Sequence, residues 1–357
     1  MSGIQHLVRR QQPSLQNSEN QLFTLILFGH AAFQYLRAGT ELGVFEFLES
    51  RASATRDELA EHLGLGERPT KCLLLGLKSL GLIQAEDGRL RNSPVISEWF
   101  EQDQWEILKD VVGFEAHIVY PGQQDFVESL KADKNVGLRR IPGQAADLYR
   151  RLAETPLQQV FYNYMGSWSR LSLPLLFENY DFSDVRSAVD VGGGEATVAC
   201  QIAENYPQMN ITLLDLPENA QVARRRIEEA QLDGRISVRE TDILKHDFPT
   251  GHDCFLFIHQ MVIWPLDVVT MLLEKAYTAL EPGGRVVIFN SITDDDGEGP
   301  LMGALDSVYF VSVPVEGGMI YPYGDYEECL RKAGFRDIQR IPCGGWTPHG
   351  IVVATKS

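Results

Sequence analysis

Two carboxylates, Asp190 and Asp215, bracket a run of three glycines within residues 187–220. The apolar stretch ending at Asp190-Val191 reads as a strand. Ala196 to Tyr206 reads as a helix closed by Pro207, and Ile211 to Leu214 as a second strand running into Asp215. Glycines at the first turn of such a β-α-β unit let the backbone approach a ligand closely, because no Cβ intervenes. An acid at the end of the second strand is placed to accept hydrogen bonds from two ribose hydroxyls. Position 197 is Thr, so Gly192, Gly193 and Gly194 do not make the Gly-x-Gly-x-x-Gly of a dinucleotide site. Asp190 would repel a pyrophosphate and suits a cation. A nucleoside that carries positive charge fits both acids, and S-adenosylmethionine, with its sulfonium and ammonium groups, is such a molecule.

Asp190-Val-Gly-Gly-Gly194 and Leu214-Asp-Leu-Pro217 are similar to the first two motifs of class I methyltransferases that use S-adenosylmethionine. More narrowly, they resemble the small-molecule O-methyltransferases of plants and bacteria, which act on caffeate, acetylserotonin and polyketide phenols. The resemblance runs over nearly the whole chain. It implies that Asp190, Gly192, Gly193, Gly194, Asp215 and Leu216 bind the cofactor. It implies further that Asp242 accepts from the adenine amino group, that Ile243 covers the ring, and that Ile258 lies at the same strand ends. In Phe161-Tyr-Asn-Tyr-Met-Gly-Ser-Trp-Ser169, Ser169 matches a serine near the cofactor carboxylate and Met165 a residue facing substrate. Trp168 stands where a His is common.

The acceptor motifs depart from the family. Methylating a phenol oxygen needs a base beside the hydroxyl, and the family supplies it from a His-Asp-Trp triplet oriented by a later acid. Counting back from Leu280-Glu-Pro-Gly-Gly284, the triplet falls on Val262-Ile263-Trp264 and the acid on Ile320. His259 and Gln260, three residues earlier, become the catalytic candidates. Asp306 and Tyr309 are candidate substrate contacts, with Tyr321 and His349 as further polar groups. No metal is expected, although His259, Asp306 and His349 would supply the donors of a non-haem triad if the fold gathered them. Asp294-Asp-Asp296 reads as a solvated loop. A site without the usual base suits methylation of an enolisable carbon, beside a 2-oxo acid carbonyl or ortho to a phenol. Transfer to oxygen or nitrogen by proximity alone is the alternative. A cofactor-binding relative that no longer transfers methyl is a third reading.

These residues need a scaffold. Strands are expected at Arg235 to Arg239, Cys254 to Ile258, Arg285 to Asn290, Phe335 to Arg340 and Gly350 to Thr355, alternating with helices. That order predicts an α/β, Rossmann-like domain with a mostly parallel seven-stranded sheet, whose ligands sit at the strands' carboxyl ends. Upstream, apolar residues recur at helical spacing from Gln21 to Glu49, broken at Gly43. Thr55-Arg-Asp-Glu58 is a capping box before a helix to Leu63. A second helix, Pro69 to Leu80, and an Asp87-Gly88 hairpin complete a winged-helix pattern. Residues 1–165 are expected to form a helical, winged-helix domain that dimerises and closes the pocket, and 166–357 the cofactor-binding domain. Residues 1–20 are polar and expected to be loosely ordered.

The chain has 357 residues and a formal net charge of −17. Such acidity argues against nucleic acid and anionic membranes, and the candidate recognition helix carries only Lys71 and Lys78 as cations. No apolar run is long enough to span a bilayer. Five scattered cysteines without a Cys-x-x-Cys point to a reducing, cytoplasmic setting. The expected protein is a homodimeric methyltransferase of a small metabolite in secondary metabolism.

Overall fold

The computed structural model describes residues 18–153 and 155–357. Most of the segment expected to be loosely ordered, residues 1–20, lies outside them. The chain divides into two compact units, one ending at Gly113 and the other beginning at Phe114. That division precedes the expected boundary at 165, and residue 165 lies inside an unbroken helix, Leu157–Asn179.

In the first unit, helices Ser18–Leu27, Gly29–Glu41 and Val44–Arg51 follow one another, and Gly43 makes the last break with φ of 73°. The Thr55 hydroxyl accepts from the Glu58 amide at 3.2 Å while the Glu58 carboxylate accepts from the Thr55 amide at 2.6 Å, closing the capping box of helix Arg56–Leu63. Helix Glu67–Ser79 follows. Strands β1 (Ala54–Thr55), β2 (Ile83–Glu86) and β3 (Arg89–Asn92) form an antiparallel sheet in the order β1-β3-β2, the wing of the pattern. Leu22, Phe23, Leu25, Ile26, Leu27 and Phe28 stay exposed.

The second unit holds a seven-stranded sheet. Its members are β4 (Ser187–Val191), β5 (Asn210–Asp215), β6 (Ile236–Glu240), β7 (Cys254–Ile258), β8 (Arg285–Ser291), β9 (Arg336–Pro342) and β10 (His349–Thr355). Their spatial order is β6-β5-β4-β7-β8-β10-β9. The pairs from β6 through β8 are parallel, and β10 runs antiparallel to both neighbours. Alternate residues of each central strand enter different cores. Ala188, Leu256, Ile258, Val287 and Phe289 pack with Leu173, Leu176 and Ile202 on one face. Val189, Val191, Phe255, Phe257, Val286 and Ile288 pack with Leu272, Leu273 and Tyr326 on the other. Burial on both faces explains why these strands read as continuous apolar runs.

Because β4, β5, β7 and β8 run parallel, their carboxyl ends gather Asp190, Asp215, Ile258, His259, Asn290 and Ser291 at one edge of the sheet. The antiparallel β10 brings its first residue, His349, to the same edge, paired with Ser291.

Candidate active site

A cavity of about 370 Å³ opens at this edge, lined wholly by the second unit. Ser169, Asp190, Gly192, Gly193, Gly194, Asp215, Leu216, Asp242, Ile243 and Ile258 all line it. So do Met165, Trp168, His259, Gln260, Asp306 and Tyr309. His349 and Tyr321 do not reach its wall.

One half is built on the glycine turn. Gly192 takes φ of 72° and Gly194 of 56°, conformations that favour glycine. A Cβ at Gly192 would stand 2.6 Å from Gln260 Nε2, and one at Gly193 2.5 Å from Asp190 Oδ2. The Gly194 amide donates to Asp215 Oδ2 at 2.7 Å, and the Leu216 amide and Asn219 Nδ2 donate to Oδ1 at 2.7 and 2.8 Å. Tyr162 donates in turn to Asn219 Oδ1 at 2.9 Å. Asn219 was not anticipated. It occupies the first turn of helix Pro217–Glu229, four residues after Asp215, within reach of that carboxylate.

Asp190 is buried, and its Oδ2 has no partner. Burial, aided by the charge of Asp215, pushes its carboxyl up to about 7. Burial also raises Asp215. Asp242 differs, because Lys245 at 2.7 Å and the Leu244 amide at 3.1 Å hold its carboxyl below the usual range. An orphaned buried carboxylate beside a bare glycine turn fits a cationic nucleoside such as S-adenosylmethionine.

The other half is aromatic. Phe161, Tyr164, Met165, Trp168, Trp264 and Tyr309 line it. Phe114 stacks on Tyr164 with ring centroids 3.8 Å apart and meets Tyr309 edge-on at 5.1 Å. Val262 and Ile320, on which counting along the sequence puts the family's base and acid, are buried apolar side chains, and of the two Val262 lines the cavity. Asp306 makes no hydrogen bond among the described residues, and burial pushes its carboxyl up to about 7. Glu115, unremarked in the sequence, is raised to about 7 by burial and by the charge of Asp306. It opens a π-helical turn, Glu115–Val119, a distortion frequent at functional sites.

His259, on the cavity wall, pairs with His349. His259 has φ of 56°, a strained backbone for a residue with a Cβ, and its amide donates to the Phe289 carbonyl at 2.8 Å. The Ser172 hydroxyl donates to the Trp168 carbonyl at 2.8 Å, so it accepts from His259 Nε2 at 3.2 Å. His259 Nδ1 is then the acceptor for His349 Nε2 at 3.4 Å, and His349 Nδ1 is left bare and unpartnered. Burial pulls His259 down to about 4 and His349 well below its ordinary value. Both rings are therefore neutral near pH 7, and both His259 nitrogens are engaged within the protein. Asp306 does not join the pair. Among the described residues no three His, Cys, Asp or Glu side chains are arranged to hold a metal ion, so the triad considered from sequence is not assembled. Tyr321 donates to the Trp264 and Gly317 carbonyls at 3.0 and 2.8 Å, and Asp295 binds Arg340 and the Gly324 amide. Both are fold contacts.

Known proteins match this frame. The O-methyltransferase domain family matches residues 132–336, and the O-methyltransferase dimerisation domain residues 24–102. An L-tyrosine C(3)-methyltransferase of Streptomyces lavendulae is 47% identical over 334 residues, 93% of this chain and 91% of the relative. Bovine acetylserotonin O-methyltransferase is 28% identical over 335 residues, 92% of this chain and 95% of the relative. The apo crystal structure of the S-adenosylmethionine-dependent methyltransferase SibL is 45% identical, with a TM-score of 0.85, covering 94% of this chain and 98% of that one. The glycine turn, the two strand-end acids and these matches together establish that the chain belongs to the O-methyltransferase family, as a methyltransferase of small molecules dependent on S-adenosylmethionine.

Proposed function

We propose that the protein methylates a ring carbon ortho to the hydroxyl of a tyrosine-class phenol, as a cytoplasmic homodimer serving secondary metabolism. The observation that carries this reading is the buried Asp306 carboxyl among the aromatic lining residues. Counting along the sequence puts the family's oxygen-directed base on Val262 and its acid on Ile320, both buried and apolar, while Asp306 on the cavity wall offers a carboxyl that titrates near neutrality. The S. lavendulae relative, named for methylation at a tyrosine ring carbon, supports it. The dimerisation domain supports a homodimer. Among the described residues no helix is long and apolar enough to cross a membrane.

When bound, S-adenosylmethionine supplies an electrophilic methyl group. The glycine turn lets the backbone close on the cofactor, Asp190 balances its positive charge, and Asp215 has one acceptor position on Oδ2 left for a ribose hydroxyl. Asp306 accepts the phenol proton, which places negative charge on the ortho carbons and makes one of them the nucleophile. The methyl–sulfur bond would break as the new carbon–carbon bond forms, Asp306 returns its proton to the oxygen of the resulting dienone, and the ring hydrogen passes as a proton to water, the net proton the reaction releases. Tyr164, Trp168 and Met165 hold the ring. His259, with both nitrogens engaged and its ring neutral, positions the wall between cofactor and acceptor.

The test uses cofactor with a deuterated methyl group and a panel of L-tyrosine, 4-hydroxyphenylpyruvate, simple phenols and amines, with products read by NMR. Label on the ring carbon beside the hydroxyl is the expected result. Label only on oxygen, nitrogen or the side-chain carbon of the 2-oxo acid overturns the reading.

A further inference from the structure

Among the described residues, the side chains lining the cavity include a single full cation, Arg150. Four of its acids, Asp190, Glu195, Asp215 and Asp242, belong to the glycine-turn half. That leaves Asp147 and Asp306 for the acceptor. Asp147 caps the short helix Leu148–Leu152 and Arg150 is its third residue. The Arg150 amide donates to Asp147 Oδ1 at 2.9 Å, which fixes the aspartate's rotamer. Its other oxygen lies 3.6 Å from Arg150 Nη1, a loose pairing that is the guanidinium's one ion pair among the described residues. A loose pair whose arginine is this exposed contributes little to stability, so its place on the cavity wall has another use. A carboxylate and a guanidinium side by side match the ammonium and carboxylate of one α-amino acid, and guanidinium binds carboxylate in a planar, two-point geometry.

Resting on the tyrosine-class reading above, we propose that Arg150 and Asp147 form a zwitterion cradle, with Arg150 taking the α-carboxylate and Asp147 the α-ammonium, so that the acceptor is a free amino acid. A tyrosyl group whose carboxyl is masked as a thioester, ester or amide leaves Arg150 without its partner. Asp306, deeper among Tyr164 and Tyr309, is left for the phenol end.

The test compares kcat/KM for L-tyrosine, tyramine and 3-(4-hydroxyphenyl)propionate in the full-length protein and in Arg150→Gln and Asp147→Asn. Asparagine is also a good helix cap, so the second variant removes charge and keeps the helix start. The wild type should prefer L-tyrosine over tyramine by about 10- to 100-fold, the scale expected when one charge-assisted hydrogen bond is missing. In Arg150→Gln that preference should collapse towards one. In Asp147→Asn the preference for L-tyrosine over the propionate should collapse instead. Ratios within one variant are insensitive to how much of it folds. A tyrosine-to-tyramine ratio unchanged by Arg150→Gln, or a wild type that prefers the tyrosine amide, overturns the cradle while leaving ring methylation intact. Label on oxygen or nitrogen rather than the ring overturns the underlying reading, and the cradle with it.

Discussion

On the glycine-turn half of the cavity the Asp215 carboxylate already receives three hydrogen bonds from the protein. On the aromatic half, Asp306 and the hydroxyls of Tyr164 and Tyr309 receive none among the described residues, and burial raises all three. The first half is held ready by its own strands and turns. The second is a set of polar groups in an apolar wall whose partners must come from the acceptor. Buried polar groups without partners are costly, so the acceptor's polar groups matter as much as its shape. A site built to hydrogen-bond an acceptor rejects analogues lacking the matching group far more strongly than an apolar pocket could.

The contrast breaks most readily at Asp306. Asp306→Asn should lower methyl transfer by about 10²–10⁴-fold, the usual scale for removing a general base, while calorimetry finds binding of S-adenosylhomocysteine unchanged. In the wild type kcat should rise as pH passes through about 7, where Asp306 and Glu115 lose their protons, and the variant should lose that limb. The same change should stabilise the fold above pH 7. The carboxyl binds its proton more tightly folded than unfolded, so its ionisation costs stability as pH rises from about 4 to about 7. A melting temperature for Asp306→Asn below the wild type's at pH 8 would contradict this.

At the other half, Gly193→Ala should weaken cofactor binding by about 10- to 100-fold, since its Cβ would meet Asp190 Oδ2 at 2.5 Å and Leu213 at 2.7 Å. Cofactor titration checks it, and Asp306→Asn serves as the control with the opposite signature. A sharper trial is Val262→His, on the cavity wall, with Ile320→Glu, the positions to which counting along the sequence assigns the family's base and acid. Deuterated product should then appear on oxygen as well as carbon, visible by NMR, and product confined to carbon would show that these two positions do not direct the methyl.

The smallest effect belongs to the histidine pair. His349→Phe keeps the stacking on Phe289, at 4.7 Å between centroids, but leaves His259 Nδ1 unpaired. It should destabilise by about 1 kcal/mol at pH 7.5. The wild type should also lose stability as pH falls from about 6.5 towards 4, because unfolded imidazoles take up protons that the buried rings refuse. Denaturant melts across that range should find the variant's loss shallower.

How far the sequence could be read follows the same division. The glycine turn, both acids and the strand that ends at Ile258 are local, so their spacing along the chain is their spacing in space. The capping box and the break at Gly43 are local too. The pairing of His259 with His349 spans 90 residues and rests on the antiparallel insertion of β10, which no local pattern announces. It changes how His259 reads, from a free base to a ring with both nitrogens engaged. Glu115 was hidden because its burial, and the charge of Asp306 on a distant helix, arise only in the fold. Arg150 was hidden because one arginine in a polar stretch looks like any surface cation.

The placement of β10 between β8 and β9 has a consequence for how the molecule is made. Until residues 349–355 have joined the sheet, β8 exposes a bare hydrogen-bonding edge and the His259 ring lacks the neighbour that caps it. A chain that stops short of His349 would hold every motif of the glycine turn and still expose an open edge to other strands. Nascent or truncated chains should therefore depend on chaperones until that strand is in place, whatever their affinity for the cofactor.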